Sequence, residues 1–154
     1  MKIKYWQVIK ILDENNNVKY HTDGNVLYKA SKVEYEAKQE STQSPTLSCI
    51  ENQIFIEKEL KKHYTVPLQE TMKLKNIKGC KFIMFHNPET NKPVFIAKSL
   101  LLKGTIICTT PNHDNKYSSA YCVRDKETNE VIGIVMPCAN VIEENIETYK
   151  KKVL

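Results

Sequence analysis

The sequence predicts an α+β domain: a mostly antiparallel sheet of about eight strands with two amphipathic helices, at about 49–63 and 141–152. Three observations predict it. Short runs of β-branched and aromatic residues recur along most of the chain, separated by clusters of Asn, Asp, Gly and Pro. Most of those clusters are short enough to be hairpin loops, which pair sequential strands antiparallel. Two segments alone switch to helical spacing and carry capping residues.

The elements follow in order. Residues 3–12, IKYWQVIKIL, read as a strand; Asp13 to Asn17 turns the chain, and VKYH (18–21) returns. Thr22-Asp23-Gly24-Asn25 is a second turn, followed by a strand over 26–37. Val26, Tyr28 and Ala30 share one face of it and Val33 and Tyr35 the other, so a bulge or bend is expected near Ser31. Residues 38–46, KQESTQSPT, lack an apolar anchor and read as a loop. Ser48 and Glu51 have capping-box spacing, which starts the first helix; Lys61, Lys62 and His63 suit its C-terminal dipole, and Pro67 lies beyond its end.

TMKLK (71–75) alternates as a strand. CKFIMFH (80–86) and PVFIAK (93–98) flank Asn87 to Lys92 as a hairpin, and SLLLK (99–103) fits one helical turn. GTIICTT (104–110) is a further strand, with a loop from Pro111 to Ser118. AYCVRD (120–125) and EVIGIVM (130–136) form the clearest hairpin. Asn140 with Glu143 caps the last helix, whose Ile142, Ile146, Tyr149 and Val153 recur at helical spacing. The strands do not alternate with helices, which argues against a doubly wound Rossmann fold. No internal repeat or linker divides the chain, so residues 1–154 are expected to form one domain.

Composition bounds the function. With 41% hydrophobic and 27% charged residues, the chain is an ordinary globular one. No apolar run reaches the roughly 18–20 residues of a membrane span. The N-terminus has no signal-peptide pattern, and five scattered cysteines without a CxxC pair suggest free thiols in a reducing cytosol. A cytoplasmic protein is therefore expected.

The net charge is +5, and all but one of the 23 basic residues is Lys, the exception being Arg124. The abundance of Lys, Ile and Asn is also what an AT-rich coding sequence produces. The charge is concentrated: residues 58–103 hold ten Lys against Glu59, Glu70 and Glu89, for +7, whereas residues 105–154 sum to −1. Lys73, Lys75, Lys81, Lys92 and Lys98 could line one exposed sheet face that attracts an acidic protein surface, a nucleotide or nucleic acid. A solvated edge guarded by lysines is the plainer alternative. Phe82, Phe85 and Phe95 lie in the same block, but alternation puts Phe82 and Phe85 on opposite faces, so at least one is core. Trp6 and Tyr28, with Tyr20 and Tyr35, would make a partner-binding patch if they face outward together; otherwise they are core.

Catalytic signals are few. Cys138 precedes the expected C-terminal helix, where a helix N-terminus lowers a thiol's pKa. His113 beside Asp114 could serve as base, or the Asn112–Asn115 stretch is simply a turn. No GxGxxG, P-loop or HExxH occurs, and no cofactor or metal is expected. HTDGNVLYKASKV (21–33) and IGIVMP (132–137) resemble, in that order, pieces of the DNA sliding-clamp domain. The resemblance covers under an eighth of the chain and lacks the strand–helix–strand unit that would precede the TDG turn. It implies a DNA-associated, clamp-like accessory domain.

The leading expectation is a small non-enzymatic binding or accessory protein using the lysine face. Its composition suits a phage or mobile element that blocks a host system. A cysteine- and histidine-dependent hydrolase is the alternative from the other class. The oligomeric state is open, with a homodimer compatible with the sequence.

Overall fold

Asp and Asn at fixed offsets set the turns. The Asp13 carboxylate accepts the backbone N–H groups of Asn15 and Asn17, both at 2.9 Å. The Asp23 carboxylate does the same for Asn25 and Val26, and that of Asp125 for Glu127. Asn16, Asn91 and Asn129 adopt positive φ near 60°, a conformation that Asn tolerates better than most residues. Much of the Asn content of the chain is thus spent on closing hairpins.

The computed structural model describes residues 1–43, 56–62, 64–75, 81–111 and 120–137. Strand dominates them. In chain order the strands are β1 (Lys2–Leu12), β2 (Val18–Thr22), β3 (Val26–Lys29), β4 (Glu34–Gln43), β5 (Val66–Pro67) and β6 (Gln69–Lys75). They continue with β7 (Lys81–His86), β8 (Pro93–Ala97), β9 (Thr105–Thr109), β10 (Tyr121–Asp125) and β11 (Val131–Val135). Eight of them form one sheet in the order β4-β1-β2-β3-β11-β10-β9-β5, and β6-β7-β8 form a second.

Several expectations are corrected. The single sheet of about eight strands is two sheets, and the larger one is mixed, because β4 runs parallel to β1. The strand expected over 26–37 is two strands, β3 and β4, separated at the bend expected near Ser31, where Lys32 and Val33 donate to the Lys29 carbonyl. The loop expected over 38–46 is strand as far as Gln43. An edge strand needs no apolar alternation, and charges on it discourage further pairing.

The two-helix reading does not hold. Of the helix expected over 49–63, the described residues are helical only over 56–60, and the chain then descends so that Tyr64 packs on the sheet and Val66–Pro67 join its edge. The helix expected over 141–152 lies outside the described residues. The Lys98–Leu100 segment is a single 3-10 turn.

The main core lies between the sheets. Ile3, Tyr5, Val8, Tyr28, Tyr121 and Val123 of the large sheet meet Ile83, Phe85, Val94 and Ile96 of the small one. Tyr28 ties the layers together by donating to the Leu100 carbonyl at 2.7 Å. Gly133 is paired with Tyr28 across β11 and β3, and the tyrosine ring lies over it. On the other face of the large sheet, Ile56 covers Ile11, Tyr20 and Leu27, while Tyr64 covers Cys108 and Cys122.

One buried polar residue joins elements far apart in the chain. His21 is fully buried. Its Nδ1 lies 2.8 Å from the Tyr5 hydroxyl and its Nε2 2.7 Å from the Val33 carbonyl. A carbonyl can only accept, so Nε2 carries the proton and Nδ1 accepts from Tyr5. His21 is itself paired with Lys10, so Tyr5 reaches it only because β1 curves back. The curve lies at Trp6–Gln7, two consecutive exposed residues between buried Tyr5 and Val8.

This packing has three testable consequences. Burial disfavours the charged ring and pushes the pKa of His21 below the usual histidine value, the Val33 carbonyl opposing it. The unfolded chain then binds a proton near pH ~6.5 that the folded chain refuses, so stability is full above that pH and declines as pH falls through it. Tyr5→Phe leaves Nδ1 without a donor and lowers unfolding free energy by about 1–3 kcal/mol in urea titration. At Gly133, a Cβ would sit 2.5 Å from Tyr28 Cδ1 and closer still to the Leu27 carbonyl. Gly133→Ala therefore costs about 1–3 kcal/mol by the same measurement.

Candidate functional site

The lysines of the two sheets are arranged differently. On the large sheet and its covering segment, ion pairs join Lys2 to Glu36, Lys10 to Glu40, Lys19 to Glu57, Lys32 to Glu130 and Lys62 to Glu59. None of the described ion pairs involves Lys73, Lys81, Lys92 or Lys98. The small sheet carries few acids, and register places them apart from most of its lysines.

Register brings three lysines into one row. Lys75 is paired with Lys81 across β6 and β7. The last β7–β8 pair at this end is Phe82 with Ala97, and Lys98, the next residue, opens the 3-10 turn there. Lys73 is one step in on the same face as Lys75, paired with Ile83. Lys73, Lys81 and Lys98 are exposed. Glu70 is paired with Phe85 at the far end of the sheet, and Glu89 lies in the turn there. Lys92 belongs to that far end too, separated from the other four. Register therefore places four of the five lysines singled out by sequence at one end of the sheet, which holds no described acid.

The aromatic residues behave otherwise. Phe82, Phe85 and Phe95 are all buried, so none of these three offers the lysine row an aromatic stacking platform. Tyr28 is core and not surface, because its hydroxyl finds a partner only at Leu100, inside the protein. Tyr20 is buried as well. Trp6 is 67% exposed on β1, with Lys38 Nζ 4.9 Å from its ring centroid. The expected aromatic patch thus reduces to Trp6, far in sequence and on a different sheet from the lysine row.

Cys138, His113 and Asp114 lie outside the described residues. Of the described histidines, His21 is held in the core and His86 bonds to the Asn91 side-chain oxygen. Neither is hydrogen-bonded to a described cysteine. No group of three or more His, Cys, Asp or Glu among the described residues could hold a metal ion. A pocket of about 220 Å³ opens between the sheets, lined by Leu68, Ile83, Phe85, Leu101 and Ile107 with Glu70 and Thr105. It is smaller than the roughly 300–1,000 Å³ usual for small-molecule sites.

Sequence reasoning did not find the pairing of Cys108 with Cys122, which are direct partners across β9 and β10. Both strands were legible, but their register was not. The segments TDGN and IGIVMP lie next to each other, since β3 pairs with β11 and Met136 donates to the Asn25 carbonyl. The chain matches no protein-family model, no curated protein and no solved structure. No helix among the described residues is long and apolar enough to cross a membrane.

An exposed ring held only by one lysine contributes little to the fold. Trp6→Ala is expected to change unfolding free energy by under about 1 kcal/mol in chemical denaturation.

Proposed function

We propose that the protein is a non-enzymatic binding protein that holds a polyanionic partner on the lysine row at the end of its small sheet. The observation that carries this reading is the pairing of Lys75 with Lys81 across β6 and β7, with Lys73 two positions along β6, Lys98 just past the end of β8 and no described acid at that end. Among the described residues, Lys2, Lys10, Lys19, Lys32 and Lys62 are each paired with a carboxylate.

The chemistry of the row sets the mode of binding. Lysine is a flexible point charge, suited to phosphate or carboxylate groups and not to bidentate reading of bases. The single Arg124 is occupied elsewhere, donating to the Tyr64 and Asn129 carbonyls. With the phenylalanines buried, stacked single-stranded bases have no platform either. The partner is therefore recognised by its charge density: a nucleic-acid backbone or an acidic protein surface. A cytosolic accessory role, in the setting of a phage or mobile element, fits this reading together with the Lys- and Asn-rich composition.

Heparin retention tests the proposal. The wild-type chain is expected to elute at elevated salt, and Lys73→Glu, Lys81→Glu and Lys98→Glu combined to elute much earlier. In duplex-DNA anisotropy, the same variant should flatten the slope of log K against log salt by about three, near one unit per lost phosphate contact. Trp6→Ala and Lys92→Glu serve as controls that leave most of the retention intact. Equal retention of wild type and triple variant would sink the proposal. Strong heparin binding without DNA binding would direct it to an acidic protein surface.

A further inference from the structure

We infer that Cys108 and Cys122 are a redox-active pair that forms a reversible disulfide within the chain, with Tyr64 as its cover. Both thiols are free, and both side chains pack in one cluster under Tyr64 on the outer face of the large sheet.

The backbone places the sulfurs together. Leu68 N–H donates to the Ile107 carbonyl at 2.8 Å, so the polar edge of Ile107 faces β5. Along a strand these edges alternate, so the N–H and C=O of Cys108 face Cys122 across β10. A hydrogen-bonded antiparallel pair of this kind has its Cα atoms about 5.5 Å apart, within the roughly 4.4–6.8 Å span of disulfides. Cys108 and Cys122 are direct register partners, and both are buried in the same small cluster.

The surroundings distinguish the two thiols. The bond from Cys122, and then the Arg124 guanidinium, draw Cys108 below the usual thiol range. That same bond, together with burial, pushes Cys122 up. The only Arg of the chain stands here, donating through Nε to the Tyr64 carbonyl at 3.1 Å.

Access depends on the cover. Cys108 and Cys122 are 2% and 0% exposed. Tyr64 lies over them, its hydroxyl donating to Glu59 at 2.9 Å, and Glu59 in turn accepts from Lys62. This segment is tied to the sheet by the two-residue strand β5, by the Arg124 bond to the Tyr64 carbonyl and by the Lys19–Glu57 ion pair, so these are the bonds that must open for it to lift.

The oxidant is a hydroperoxide. Cys108 thiolate attacks the peroxide oxygen, breaks the O–O bond and becomes a sulfenic acid, and the released hydroxide takes up a proton to leave as water. The Cys122 sulfur then attacks the sulfenic sulfur; the S–S bond forms, and the expelled hydroxide leaves as water with the Cys122 proton. In sum, two thiols and hydrogen peroxide give one disulfide and two waters, the sulfurs losing two electrons to the peroxide. A small dithiol reverses the reaction by exchange.

Peptide mapping after mild hydrogen peroxide treatment of the folded full-length chain tests this. The expected product is a monomer whose Cys108 and Cys122 peptides are joined, released by dithiothreitol. A variant carrying Cys49→Ser, Cys80→Ser and Cys138→Ser keeps the pair intact, and its free-thiol titre should fall from two to none. Tyr64→Ala should speed that loss several-fold. Disulfides to Cys49, Cys80 or Cys138 in the wild type, or sulfinic acid at Cys108 with Cys122 still free, would overturn the pairing. An unchanged rate in Tyr64→Ala would overturn the role of the cover.

Discussion

The bond network of His21 is the constraint on which the large sheet depends. It links the first half of β1, through Tyr5, to the turn between β3 and β4, through Val33. Both ring nitrogens are satisfied, so the imidazole stays neutral inside a cluster that includes Tyr28 and Tyr35. This cluster allows β4 to begin beside the N-terminus, where Glu34 N–H donates to the Met1 carbonyl. From there β4 runs alongside β1 in parallel, and the curved sheet acquires its long charged edge. Without the curve at Trp6–Gln7, the short connection from Lys29 to Glu34 could not carry the chain to that edge.

Charge is divided between the layers in a way that follows from this construction. Strands β1 and β4 lie in register, so Lys2 meets Glu36 and Lys10 reaches Glu40. The small sheet has no such partner strand. Its β6 and β7 pair lysine with lysine at one end, and surface ion pairs of about 0–1 kcal/mol would in any case do little to hold it. Stability there comes from Phe85, Val94 and Ile96 in the shared core, and from Leu74, Phe82 and Phe95 on the opposite face. The lysine row is thus free of a structural task, which is what makes it the candidate binding surface.

Local chemistry was readable where it acts locally. The hairpins β1–β2, β7–β8 and β10–β11 were foreseen from turn residues, and Asn16, Asn91 and Asn129 bear out that reasoning in their backbone angles. Segments whose structure depends on a distant partner were misread. KQESTQ looked like a loop because its apolar pattern is absent, yet β1 supplies the hydrogen bonds that make it strand. The lysines of the small sheet were picked out by composition, but their convergence needed register, which also separated Lys92 from the rest. Tyr28 looked eligible for the surface until Gly133 and Leu100 were found to enclose it.

The sequence by itself determined the β-rich character of the chain, its turns, the concentration of positive charge between residues 58 and 103, and the lack of familiar catalytic motifs. These properties reside in neighbours along the chain: a turn residue or a run of like charges acts over a few positions. Only the tertiary structure decided that there are two sheets, that β4 is parallel to β1, that His21 is a structural pin, and that Cys108 faces Cys122. Each of those depends on which strands meet and in what register. A shift of one residue reverses the face of every side chain, and that choice is made by packing across the whole core.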